Sequence, residues 1–141
     1  MFLEEAIKAH LAANGELANL VGTRIYPGSL EQDSPLPALV YSKVSGIPEY
    51  AHDGASGAVE SRIQISCLGA DYGTTKLVSR AVKRALRPFE IAPGTMGGVG
   101  GVHVAGVFLE NEFDMPEPNE VEELSRHHIP LDYMFSHQED V

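Results

Sequence analysis

Six histidines and one cluster of small polar residues are the parts of this sequence whose chemistry could make or break a bond. His127 and His128 are adjacent, and His103 and His137 stand in other β-rich runs. Adjacent residues of a regular strand point to opposite faces, so the pair cannot share one metal ion there. His103 could instead meet His127 or His137 across a sheet beside a carboxylate, a donor set that transition metals accept. That arrangement would make the chain a small cytoplasmic metal-dependent hydrolase. The stretch HDGASGA brings together His52, Asp53 and Ser56, the residue types of a hydrolytic triad. Triads are assembled from distant segments, however, and the G-x-S-x-G elbow fails because position 58 is Ala.

Other chemistries fail on spacing. The glycines at 94, 97, 98, 100, 101 and 106 complete no G-x-G-x-x-G, precede a strand pattern where a nucleotide loop opens a helix, and are followed by no Gly-Lys-Ser/Thr. A flexible loop is the plainer reading. Cys67 is the single cysteine, so no internal disulfide can form. It shares the parity of Val59, Ile63 and Ile65 on an alternating run, which makes it a buried, reduced thiol. No catalytic residue, metal or cofactor is assigned from these patterns.

The formal charge of −10 argues against a surface that grips nucleic acid through its phosphates. The charge is unevenly spread. Lys76, Arg80, Lys83, Arg84 and Arg87 fall in one helical segment, whereas Glu110, Glu112, Asp114, Glu117, Glu120, Glu122 and Glu123 crowd another. Opposite poles of this kind suit self-association or partner docking. MFLEEAIKAH has acids where a signal peptide needs a basic region, and GTMGGVGGVHVAGVFL is too short and too glycine-rich to cross a membrane as a helix. The expectation is a soluble chain made in a cytoplasm, with no membrane partner.

The elements that must position these groups are readable from periodicity. A first helix, about Phe2 to Asn14, places Leu3, Ala6, Ile7 and Leu11 on one face, with Gly15 as its stop. A short turn follows from Glu16 to Val21, then the brief extended RIYPG. ALVYSKV, residues 38–44, is the first main strand. Residues 45–58 are rich in Gly, Ser and Pro and read as a long flexible connection. Val59, Ser61, Ile63, Ile65 and Cys67 then alternate with polar residues along a half-buried strand. Asp71 or Thr74 can cap the next helix, whose apolar stripe is Leu77, Val78, Ala81, Val82, Ala85 and Leu86, and Pro88 closes it. A second flexible loop spans about 88–101. VHVAGVFLENEF is a strand in which Gly106 marks a bulge, and an acidic connection near 114–123 follows. In the last strand Ile129, Leu131, Tyr133 and Phe135 share a face, and Pro130 places that strand, or that end of it, at a sheet edge. The whole is one domain over residues 1–141 of α+β class, a mainly antiparallel sheet of about four strands with two helices packed on one face.

Taken in order, LVGTRIYPG, PLPALVYSKVSGIPEYAHDG, SGAVESRIQISCLGADYGTTKLVSRAVKRAL, GVFLENEFDMPEPNE and IPLDYMF resemble the tail completion, or tail terminator, proteins of long-tailed bacteriophages and gene transfer particles. The likeness runs from about Leu17 to Phe135. It is carried by a G-x-R-I-Y-P turn, a P-x-x-V-Y strand, an R-x-Q-I strand leading into a helix, and an acidic L-E-x-E strand end.

The resemblance implies a structural virion protein that forms a ring, usually of six copies. Such a ring caps the tail tube and joins it to the head-completion or connector protein beneath the capsid. Assembly would take place in the host cytoplasm, with the finished protein at the head-tail junction. Six chains would carry a formal charge of about −60, a field that repels phosphates and lets DNA slide through without specific binding. Glu110, Glu112, Asp114, Glu117 and Glu120 are the candidates for the lumen or the subunit seam. Lys76, Arg80, Lys83, Arg84 and Arg87 are the candidates for the complementary subunit interface.

Overall fold

The computed structural model describes residues 1–30, 34–51, 54–116 and 127–138, and side chains are considered outside 46–58 and 115–116. Leu3–Ala13 form α1, in which Leu3, Ala6, Ile7 and Leu11 are buried as their spacing predicts. Asn14 then takes an extended conformation and accepts a hydrogen bond from Leu17 N at 3.0 Å, so it caps α2 (Gly15–Val21). Gly15, expected as a stop, instead opens this second helix. Gly22, at φ 59, ends it.

β1 (Ile25–Pro27) runs parallel to β2 (Ala38–Ala51), with Ile25 opposite Leu39. Arg24 fastens this joint: its Nε donates to Pro37 O at 2.8 Å and its Nη2 to Leu20 O at 3.3 Å. The G-x-R-I-Y-P segment is thus a structural clasp between the end of α2 and the start of β2. β2 pairs antiparallel with β3 (Gly54–Gly69) from Ala38↔Leu68 to Ala51↔Gly54. The loop expected over 45–58 is therefore overturned: apart from residues 52 and 53, which lie outside the described residues, it is the far half of a long hairpin. Its Gly, Ser and Pro content hid the strands, because such composition ordinarily marks turns.

α3 spans Tyr72–Ile91. Asp71 Oδ1 accepts from Thr74 N and Asp71 Oδ2 from Thr74 Oγ1, each at 2.8 Å, which fixes Asp71 as the cap. The helix does not stop at Pro88. It continues because Phe89 is buried and meets the His10 ring edge-on at 5.2 Å, while His10 Nε2 donates to Ala85 O at 2.6 Å. That tertiary anchor outweighs the missing proline N–H. Val78, Ala81, Val82, Ala85 and Leu86 face the core, but Leu77 is 43% exposed, its expected place being taken by Thr75 and Ser79.

After α3 come β4 (Gly94–Met96), β5 (Val102–Glu112), β6 (Met115–Pro116) and β7 (His127–Gln138). Of the loop expected over 88–101, residues 88–91 belong to α3 and 94–96 to β4, which leaves 92–93 and 97–101 irregular. The strand order is β1-β2-β3-β7-β5-β4, with β6 also on β7. The fold is α+β as expected, but three helices stand where two were read, and the sheet is mixed and has seven strands instead of four. The additions are pieces of two or three residues, below the length at which alternation can be read, together with the seven-residue α2.

β7 lies in the middle of the sheet, between β3 and β5, which corrects the edge assignment for that strand as a whole. Pro130 is tolerated there because of where it falls. Ser66 is its partner on one side, and on the other it sits between Leu131, matched with Glu112 of β5, and His128, matched with Met115 of β6. Ile129, Leu131, Tyr133 and Phe135 are buried together with Ile63, Ile65 and Cys67 of β3. α1 touches both β2 and β4, strands near opposite ends of the sheet order, so the sheet curls around the helices.

Candidate functional site

The strand-turn-helix junction after β3 is where an α/β enzyme often keeps its chemistry. Here it is closed. A β-carbon on Gly69 would collide with the Thr75 side chain, and Thr75 Oγ1 donates to Asp71 O at 2.7 Å. The turn is filled by its own helix.

The histidines are not gathered either. His127 and His137 are ten residues apart on β7, roughly 33 Å at the ordinary rise of a strand. His127 is exposed, with its ring 6.0 Å from that of Tyr72. His103 is exposed and pairs with Thr95, whereas His137 is buried on the opposite face, opposite Val104. The described residues contain no group of three metal-binding side chains. His137 does meet a serine: its Nδ1–H donates to Gln138 O at 2.8 Å, which leaves Nε2 to accept from Ser61 Oγ at 2.7 Å. Both side chains are buried, so the pair is a core hydrogen bond without access to a substrate. His52 and Asp53, and with them the triad reading around Ser56, lie outside the described residues. Burial raises the Cys67 thiol far above the ordinary thiol range, consistent with an inert core cysteine.

What the fold does bring together is charge. The basic outer face of α3 lies beside the end of β5, and the two poles meet within one chain. Lys83 Nζ is 2.9 Å from Glu112 Oε2, Lys76 Nζ is 3.9 Å from Asp114 Oδ1, and Arg84 Nη1 is 3.3 Å from Glu16 Oε1. Tyr72 adds a donor, its hydroxyl reaching Asp114 Oδ2 at 2.9 Å. Arg80 and Arg87 are exposed and have no carboxylate partner among the described residues. They flank a shallow groove between α3 and β5 that also includes Lys83, Arg84, Glu90 and Leu109. Leu77 and Leu109, 43% and 38% exposed, leave apolar surface among these charges. Sequence reasoning found the basic row but missed these pairings, because Lys83 and Glu112 stand 29 residues apart and only folding makes them neighbours. Glu110 is exposed near the end of β5, and Glu117 and Glu120 lie outside the described residues.

The described residues thus form an α+β domain whose charged surface is organised along one helix. The model of the tail completion protein gp17 family matches residues 5–137. The chain belongs to that family and is a structural protein of a phage tail. Its fold is also that of a chain in a solved virion of a native gene transfer agent particle. The two superpose with a TM-score of 0.67 at 22% identity, over 96% of this chain and 94% of that one. No curated protein matches the sequence.

Proposed function

We propose that this protein completes the tail by closing into a ring, of six copies, that terminates the tail tube and joins it to the head connector, with DNA passing through the ring. The observation that carries this reading is the imbalance on α3: three of its five basic groups are met by the chain's own carboxylates, while Arg80 and Arg87, beside exposed Leu77 and Leu109, have no carboxylate partner among the described residues. A charged rim around apolar surface is the usual make-up of a surface that another protein covers. The subunit interface in this reading includes Lys76, Arg80, Lys83, Arg84 and Arg87, with the unpaired arginines as its specific contacts. Glu110, Asp114, Glu117 and Glu120 supply negative charge at the lumen or seam, where repulsion of phosphate keeps DNA from adhering. Glu112 is held by Lys83 and is less available for that task.

A mass measurement of the purified chain, alone and with tail-tube protein, tests the proposal. The expected result is a sixfold species, formed alone or on the tube. A chain that stays single at high concentration, and with tube protein present, overturns it.

A further inference from the structure

Resting on the ring reading, we infer that the outer face of the sheet of one copy receives the end of α3 of the next, with Arg62 of the first pairing Glu90 of the second. The helices pack against the sheet face that carries Ile63, Tyr133 and Val107. Arg62, Met134 and Phe108 alternate with those residues along β3, β7 and β5, so they lie on the other face. The register sets them in one row, Arg62 opposite Met134 and Met134 opposite Phe108. Phe108 is 58% exposed, and its ring leans back over Gly106, where a β-carbon would meet it at 3.4 Å. Arginine, methionine and aromatic residues are the types enriched where proteins meet. Arg62 is also unsatisfied: its Nε is buried without a hydrogen-bond partner, and it forms no ion pair among the described residues. A buried charged donor left unpaired is costly, and a carboxylate brought by a neighbour removes that cost.

Charge selects the end of α3 as the occupant. Glu60 is exposed and lies two residues before Arg62 on the same face of β3, roughly 6.6 Å away. On α3, Arg87 and Glu90 are both exposed, line the same groove and are neighbours on the helix surface, roughly 4.5 Å apart in rise. An acid beside a base on the strand thus meets a base beside an acid on the helix, at spacings that long side chains bridge. Glu60, Arg87 and Glu90 form no ion pair within their own chain among the described residues. Ile91, 76% exposed and on the same side of α3 as Arg87, supplies an apolar side chain for Met134 and Phe108. The helix and the outer face of the sheet belong to different layers of the domain, so the contact is heterologous, and repeated contacts of that type generate rings.

The test is charge reversal read by native mass measurement. Arg62→Glu and Glu90→Arg each weaken self-association at least about ten-fold, whereas the double variant recovers most of it. Unchanged assembly in both single variants, or no recovery in the double one, overturns the contact and, where wild type forms rings, leaves the ring reading intact. A wild-type chain that never associates overturns both. Hydroxyl-radical labelling of wild type gives a readout that does not depend on variants folding: oxidation of Met134, Phe108 and Ile91 falls together on ring formation. Unchanged oxidation of Met134 and Phe108 within an assembled ring overturns the inference.

Discussion

Lys83 Nζ stands 2.9 Å from Glu112 Oε2 and 3.1 Å from Glu112 Oε1, so the basic helix and the acidic strand end are joined within a single chain. This contact changes which charges are available for assembly. It also predicts its own size: both side chains remain partly exposed, and a double-mutant cycle on Lys83→Ala and Glu112→Ala should give a coupling of about 0.5 kcal/mol that shrinks with added salt. A coupling near zero at low salt would mean that Lys83 is free for a neighbour.

Asp71 offers a prediction whose pH dependence has a definite sign. Hydrogen bonds from Thr74 N and Thr74 Oγ1 hold its carboxyl below the usual carboxylate range. A depressed folded-state pKa contributes stability that is complete above the unfolded value and is lost as pH falls through the folded value. Thermal midpoints should therefore fall for Asp71→Ala at neutral pH, and the gap between variant and wild type should narrow in acid. Asp71→Asn should retain much of the cap and remove its pH dependence. A gap that widened in acid would contradict the capping geometry.

Tyr133 is fully buried in the centre of the sheet, and its hydroxyl has no hydrogen-bond partner among the described residues. Burial raises its pKa far above the ordinary tyrosine range, so the group stays protonated in any usable buffer. Replacing a buried unsatisfied hydroxyl by hydrogen recovers its desolvation cost. Tyr133→Phe should thus be neutral or stabilising by up to about 1 kcal/mol in denaturant unfolding. A loss of more than about 1 kcal/mol would mean that the hydroxyl is satisfied.

The parts of the fold legible in the sequence are those set by local period and local hydrogen bonding. Val59 to Cys67 alternate and are buried in that alternation, Leu3, Ile7 and Leu11 lie on the inner face of α1, and Asp71 caps α3. What could not be read depends on distant partners. Gly46, Pro48 and Gly54 look like loop residues until the register of β2 with β3 pairs them, and Pro130 looks like an edge residue until β5 and β6 are seen to leave a gap beside it. The candidate surface divides in the same way. The row of cations along α3 is visible as composition, but which of them Glu16, Glu112 and Asp114 neutralise is decided by tertiary packing.

Phe89 is the residue on which the length of α3 depends. Pro88 supplies no N–H to the helix ladder, so the final turn has little local reason to persist. Its support is the burial of Phe89 against His10 and the hydrogen bond from Ala92 N to Pro88 O at 3.0 Å. Phe89→Ala should cost about 3 kcal/mol, toward the lower end for a large aromatic because the site is at the margin of the core. The same change should let residues 89–92 exchange their amides quickly while Val78 and Val82 remain protected. Fast exchange along the whole helix would mean that Phe89 holds α3 to the sheet as one unit. Slow exchange at 89–92 in the variant would mean that the last turn is supported by something other than this aromatic anchor.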